Sequence, residues 1–381
     1  MKKHYLLAPG PTPVPERALL AMAQPIIHHR TPQFSEVFAE ACQLLKFVFQ
    51  TEQDVLILSS SGTGAMESSI VNLFSPGDEV IAINGGKFGE RWGNISEVYN
   101  LNVHWVNVEW GKAVDVSVIK GLLDKNPNIK GVLSQASETS TTVTHPVREL
   151  AELTKKSDCL LIVDGITAVG VTDIPMDKWG IDALVSGSQK AFMLPPGLAF
   201  IALSEKAWKA AEKSKCPRFY FDLKKERKNL AKKTSAYTPA VSLITGLRET
   251  LLMMKEEGLD NVFARHERLA RATRGAMEAL GLKLLAPQNP ASSATGVYLP
   301  EGLDGKKFVK YIRDELGVTM AGGQDHLEGK IIRIAHLGYI DTFDIITAVS
   351  AIEMALEKSG QKIALGKGVG AAEKILLEGY R

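Results

Sequence analysis

The sequence is poor in cysteine, in charge imbalance and in long apolar runs. Three Cys stand among 381 residues (Cys42, Cys159 and Cys216), with no CxxC spacing and no even-numbered set. That excludes a disulfide-stapled secreted scaffold and a tetra-cysteine iron–sulfur cluster, and it suits a reducing, cytoplasmic compartment. Lys and Arg number 45 against 43 Asp and Glu, a formal net charge of +2. A dedicated nucleic-acid binder needs a clustered basic surface to neutralise phosphates, and this balance speaks against one. Apolar runs such as Val55 to Leu58 and Cys159 to Val163 are strand-length, well short of the roughly 20 residues of a membrane span. The start, MKKHYLLAPGPTPVPERALL, is broken by proline before a signal-peptide core can form. No internal repeat or low-complexity segment is present. What is there is an ordinary globular composition, 45% hydrophobic and 23% charged, with length enough for two domains.

Short β-branched runs alternate with amphipathic stretches over the first half of the chain. Strands are expected at Val55 to Leu58, Glu79 to Ile83, Val103 to Val108, Gly131 to Gln135, Cys159 to Asp164, Ala183 to Gly187 and Leu198 to Leu203. Helices are expected between them, at Ala65 to Leu73, Glu90 to Tyr99, Val116 to Leu123 and Pro146 to Lys155. Near-continuous apolar strands alternating with helices indicate an α/β fold with a mostly parallel sheet covered on both faces. In such sheets ligands sit outside the carboxyl ends of the strands. After Leu203 the pattern changes. An irregular stretch from Lys215 to Pro239 is crowded with Lys and Arg, and its reading is a solvated connector or subunit-contact loop. A long helix follows from Val241, breaks at Gly258 and resumes to about Leu280. The remainder reads as a smaller α+β unit: strands at Leu282 to Leu285, Gly296 to Leu299 and Lys330 to Ala335, helices at Lys306 to Leu316 and Thr342 to Lys358. The expected division is an N-terminal segment 1–15, a large domain 16–258 and a small domain 259–381. The tail from Gln361 onward reads as a loop and a short helix.

Three features fall on strand ends. The loop SSSGTGAMES follows Val55 to Leu58 and opens a helix, offering hydroxyls and bare amides at a helix N-terminus. It lacks the Lys-Ser/Thr of a P-loop and the GxGxxG spacing of dinucleotide folds, so it reads as an anion site or as an unliganded N-capping turn. Asp164 ends an apolar strand, where a carboxylate is costly to desolvate unless it meets a partner, a helix cap or a metal; no His/Asp/Glu cluster nearby supports metal. Lys190, in SGSQKAF, follows the strand Ala183 to Gly187, where desolvation can lower an amine's pKa and make it a nucleophile. An anion loop, a carboxylate and, one strand further along, a lysine are the set a pyridoxal phosphate enzyme requires.

The sequence then resembles the class V aminotransferases of fold type I, in particular the alanine–glyoxylate/serine–pyruvate group. The likeness is carried in order by SGTGAMES, NGGKFGERW, SETSTTVTHP, IVDGITAVG, SGSQKAF, YTPAVSLITGLRE and IIRIAHLG, and it covers nearly the whole chain. The resemblance implies pyridoxal 5′-phosphate as cofactor, a seven-stranded sheet in the large domain, and a homodimer with shared sites. It implies that Ser61, Gly62 and Thr63 hold the phosphate, where relatives often have His at the position of Thr63. Phe88, where many relatives have Trp, stacks on the pyridine ring, with Ile166 on the opposite face. Thr139 bonds the ring hydroxyl, Asp164 pairs with the ring nitrogen and Gln189 reaches the phosphate. Lys190 is the Schiff-base lysine and carries the proton in a ping-pong transamination. Thr238 contacts the phosphate of the neighbouring subunit; relatives often place a Tyr where this chain has Ser235. Arg333 binds the substrate α-carboxylate, bordered by Pro9 and Gly10. His28, His29 and Arg30 lie in a segment that reaches the entrance of the partner's site, with a surface or interface role equally in view. Alanine or serine as donor and glyoxylate or pyruvate as acceptor are the substrates implied. Phosphonate-, phosphoserine- and ureidoglycine-type transaminases remain alternatives, as does a non-catalytic subunit that kept the fold, a label that chains of this type carry in soluble hydrogenase. A cysteine desulfurase needs a nucleophilic Cys ahead of Arg333, and no Cys follows Cys216.

Overall fold

The computed structural model describes residues 2–380. Its centre is a seven-stranded sheet in the order Val55–Leu58, Ala199–Leu203, Ala183–Gly187, Leu160–Asp164, Ile129–Gln135, Glu79–Asn84, Asn102–Asn107. Only Ala199–Leu203 runs antiparallel to its two neighbours; the other pairings are parallel. Alternate residues of each strand enter different cores. Ile57, Ile81, Leu161, Val163 and Phe200 pack on one face. Leu56, Leu58, Val80, Ile162 and Val185 pack on the other. Burial on both faces is why these strands read as continuous apolar runs rather than alternating ones.

The C-terminal part has its own three-stranded antiparallel sheet, with Ile331–Ala335 between Ala294–Tyr298 and Ala321–Gly322. A separate core gathers Val297, Ile332, Ile334, Ile345, Val349 and Ile352 behind it. The chain start joins this part: Tyr5–Leu6 pairs in parallel with Val318–Thr319. The long helix is divided as expected, into Val241–Glu257 and Leu259–Ala279, with Gly258 at φ +82° between them.

The structure departs from the sequence expectation at several places. Leu282 to Leu285 forms no strand. It makes a single bridge, between Leu284 and Val297, with one backbone hydrogen bond on either side of it. The basic stretch is not irregular throughout: it contains a helix, Leu223–Leu230, whose first amides are capped by the Asp222 carboxylate. Two helices precede the first sheet strand, Glu16–Met22 and Pro32–Phe49. The second has Thr31 as N-cap, Pro32 in its first turn and a buried stripe of Phe34, Phe38, Ala41, Leu45 and Val48.

Candidate active site

Ser61, Phe88, Thr139, Asp164 and Lys190 follow carboxyl ends of strands of the seven-stranded sheet, whereas Gly10, Thr238 and Arg333 come from elsewhere. Ser61 opens the helix Gly62–Leu73, and no side chain caps that helix. The Gly64 amide donates to the Ser61 carbonyl at 2.8 Å, and the earlier amides are left to whatever sits before them. Gly62 is fixed by a close approach: a Cβ there would fall 2.4 Å from Ile166 Cδ1. That contact brings Ile166, which is 8% exposed, against the start of the helix. The Gln189 side chain lies beside the same amides. The point where a Cβ on Gly187 would stand is 3.2 Å from Gln189 Oε1 and 3.5 Å from Gly62 N. Gln189 Oε1 is buried and has no hydrogen-bond partner.

Asp164 ends Leu160–Asp164 and is 4% exposed. Its Oδ1 accepts the Ile166 amide at 2.8 Å, and among the described residues it forms no ion pair. Burial raises its pKa to about 7, with the nearby Glu138 charge adding to the rise and the Ile166 amide, Arg91 and Lys190 opposing it. Lys190 shows the mirror effect. Burial lowers its pKa to about 8, against the pull of Asp164. Its Nζ donates to the Pro9 carbonyl at 2.6 Å. Its carbonyl accepts the Thr12 hydroxyl at 2.9 Å. Gly10 has φ +126°, and a Cβ on it would fall 1.9 Å from Nζ, so only glycine lets the N-terminal segment pass this amine.

Arg333, central in Ile331–Ala335, is 7% exposed and reaches from the C-terminal sheet into the same cleft. Its Nη1 donates to the Thr139 carbonyl at 2.9 Å and its Nε to the Gly322 carbonyl at 3.0 Å. No carboxylate pairs with it among the described residues, and burial lowers its pKa. The Thr139 hydroxyl lies 2.8 Å from that of Thr167. Phe88 sits half-buried in the first turn of Lys87–Val98. Ser61, Gly62, Gln189, Asp164, Ile166, Lys190 and Gly10 are thus linked in one cleft, and Arg333 joins it through Thr139. Thr238 is not: it is exposed, near Ser59, whose Oγ accepts the Ala240 amide at 3.3 Å. His28 and Arg30 are exposed and His29 half-exposed, and none bonds a cleft residue.

Two residues of this neighbourhood escape the sequence reading. Glu138 is fully buried and accepts four hydrogen bonds, from the Phe88, Gly89 and Ser140 amides and the Ser140 hydroxyl. Burial raises its pKa and those donors oppose the rise. Arg91 donates to Thr63 Oγ1 at 3.0 Å and lies 4.9 Å above the Phe88 ring. Both stand inside motifs quoted above, SETST and GERW. A carboxylate among hydroxyl residues after an apolar strand is a signal of the same kind as Asp164.

Comparison with known proteins gives this cleft its context. A model of the family described as aminotransferase class-V matches residues 4–336. The chain belongs to that family. It is a class V aminotransferase, and pyridoxal 5′-phosphate is its cofactor. A protein named soluble hydrogenase 42 kDa subunit, from Anabaena cylindrica, is 43% identical over 377 residues, covering 98% of each chain. A serine–glyoxylate aminotransferase of Hyphomicrobium methylovorum is 38% identical, over 97% of this chain and 93% of that one. The crystal structure of a ureidoglycine–glyoxylate aminotransferase from Bacillus subtilis superposes with a TM-score of 0.94 at 28% identity, covering 98% of each chain. The cleft fits the cofactor on its own chemistry. It offers a helix N-terminus without a side-chain cap, a buried carboxylate without an ion pair, and an amine made less basic by burial.

Proposed function

We propose that this aminotransferase moves an amino group from a small amino acid, alanine or serine, to a small 2-oxo acid, glyoxylate or pyruvate, in a ping-pong cycle. The observation that carries the reading is the trio of Asp164, Lys190 and Arg333, each enclosed, each lacking an ion-pair partner among the described residues. Bound, the cofactor supplies an electron sink for the bond being broken at the substrate α-carbon. Asp164 holds the proton on its ring nitrogen. The Lys190 amine would hold the cofactor and, when free of it, would take the proton from the substrate α-carbon. Arg333 orients the substrate by its α-carboxylate as a two-pronged donor. Ser61, Gly62, Thr63 and Gln189 would hold the phosphate, Phe88 and Ile166 would flank the ring, and Thr139 would bond its hydroxyl.

In this reading residues 16–258 form the cofactor domain and 259–381 the small domain. Residues 1–15 link the small domain to the substrate site, which the pairing of Tyr5–Leu6 with Val318–Thr319 supports. The enzyme is a cytoplasmic homodimer in which Thr238 serves the partner's phosphate site. The exposed side chains of Leu20, Ile26 and Phe219 support a covered face, and among the described residues no helix is long and apolar enough to cross a membrane.

A non-catalytic subunit is the second reading, favoured by the name of the Anabaena cylindrica relative. Against it stand the retained Asp164, Lys190 and Arg333. The buried cysteines Cys42, Cys159 and Cys216 are also too few and too dispersed to ligate a common cluster. A half-reaction screen tests both. The purified protein is mixed with single amino acids while the visible band of the lysine-bound cofactor is followed, with Lys190→Ala as control. Alanine and serine should discharge the band fastest, and the variant should lack it. Far faster reaction with glutamate or phosphoserine would overturn the substrate reading, and a colourless protein that takes up no cofactor would establish the second one.

A further inference from the structure

The stretch Ser59 to Gly64 contains no Lys or Arg. Helix amides and neutral hydroxyls are all it can offer, yet a phosphate monoester carries close to two negative charges at neutral pH. Among the described residues one cationic side chain is hydrogen-bonded to this stretch. Arg91 Nη1 donates to Thr63 Oγ1 at 3.0 Å. The guanidinium lies over the Phe88 ring, with Cζ 4.9 Å from its centroid. Among the described residues it pairs with no carboxylate, and that single bond uses one of its five N–H donors. Its charge reaches the cleft, since it opposes the protonation of Asp164 and adds to the lowering of the Lys190 pKa.

The direction of the Arg91–Thr63 bond has a chemical consequence. A guanidinium can only donate, so Thr63 Oγ1 is the acceptor and its own hydroxyl proton is turned elsewhere. Resting on the assignment of Ser61 to Thr63 as the phosphate loop, we propose that Arg91 is a cofactor-anchoring residue. It lends the loop its missing positive charge, and it sets the Thr63 hydroxyl as a donor toward the phosphate. Positive charge is thus supplied to the loop from the neighbouring helix, and the same guanidinium braces the stacking ring.

The proposal separates the phosphate from the ring, and so does its test. Cofactor-free protein is titrated with pyridoxal 5′-phosphate and, separately, with pyridoxal, which lacks the phosphate, following quenching of tryptophan fluorescence. Arg91→Met should weaken pyridoxal phosphate about 10- to 100-fold, the range for hydrogen bonds involving a charged group. Pyridoxal should change by less than about threefold, because it makes no such bond. Arg91→Lys should keep part of the difference and Thr63→Val lose part of it. The double variant Arg91→Met/Thr63→Val should lose less than the two single losses combined. Inorganic phosphate should compete more weakly in Arg91→Met than in the wild type. An equal loss for both ligands would show that Arg91 only props Phe88, and no loss for either would remove it from the site; both overturn the proposal. If the wild type itself did not prefer pyridoxal phosphate to pyridoxal, the phosphate-loop assignment would fail first, and the proposal with it. Should Arg91→Met not fold, Arg91→Lys and Thr63→Val report the same ratio.

Discussion

Glu138→Gln is the sharpest structural perturbation this cleft offers. The helix Lys87–Val98 has Gly86 as N-cap and therefore no cap of its own. Glu138 does that work from another element. Its Oε2 accepts Phe88 N at 3.1 Å and Gly89 N at 3.0 Å, and its Oε1 accepts Ser140 N at 3.0 Å and Ser140 Oγ at 2.5 Å. A glutamine there keeps the volume but turns one acceptor into an NH2 group. With its NH2 toward Phe88 and Gly89, two donors face a donor; turned the other way, the Ser140 amide is stranded and the Ser140 hydroxyl must rotate to accept. A stranded group costs about 1–3 kcal/mol and the remaining bonds lose the added strength of a charged acceptor, while relief from burying a charge offsets part of both, leaving a net loss of about 2–4 kcal/mol. At about 2.1 cal/mol/K per residue, a chain of 381 residues has an unfolding entropy of about 0.8 kcal/mol/K. The melting temperature of the cofactor-free protein should fall by about 3–5 °C, read by calorimetry at pH 7. The visible circular dichroism of the loaded protein should fall too, because Phe88 stands on the first turn that loses its cap. A melting point within about 1 °C of the wild type would refute the capping argument.

Two further outcomes follow from the same cleft. The Asp164 carboxyl has its pKa raised to about 7 in the folded protein, so its burial costs nothing at acid pH and most when it ionises. Cofactor-free Asp164→Asn should match the wild type near pH 4 and exceed it above pH 7 by roughly 4 kcal/mol, the worth of about three pH units; urea midpoints at the two pH values check this, and a gap independent of pH would contradict it. Gly10→Ala would place a methyl 1.9 Å from Lys190 Nζ and 2.6 Å from its Cε, forcing the amine off the Pro9 carbonyl. Displacement on that scale should slow capture of pyridoxal phosphate about 100-fold, measured as growth of the visible band after mixing; an unchanged rate would show that Lys190 does not need this position.

What the sequence made legible follows from burial. Strands covered on both faces leave unbroken apolar runs, and a charge at or just past the end of such a run stands out, so Asp164 and Lys190 could be read together with the Ser59–Gly64 loop as one set. Arg333 was reached through the family resemblance. Glu138 carries a like mark but its role does not show in it, and Arg91 carries none. Their partners, Phe88 for the first and Thr63 for the second, are far off in sequence, 50 and 28 residues away. Such pairings exist only after the strand ends have been brought together. Leu282 to Leu285 shows the opposite failure: its apolar pattern is strand-like, but it meets the other edge of Ala294–Tyr298 at one bridge only.

The near-neutral composition hides how the cleft is charged. Burial pushes the Asp164 carboxyl up, the Lys190 amine down and the Arg333 guanidinium down, so each ionised form is held at a cost. Among the described residues these groups form no ion pair with one another, and Arg333 has only carbonyl oxygens as partners. A fold selected for stability alone would pair or replace them, since apolar side chains of similar size cost less in such a place. Each instead matches one group of the proposed ligands: a protonated ring nitrogen for Asp164, an aldehyde for the weakly basic Lys190, a carboxylate for Arg333. The matching runs in one direction only. Ligands that carry these groups relieve all three costs at once, whereas a chloride, a simple amine or a neutral aldehyde relieves one, and that is the physical basis for selecting an amino acid together with its cofactor.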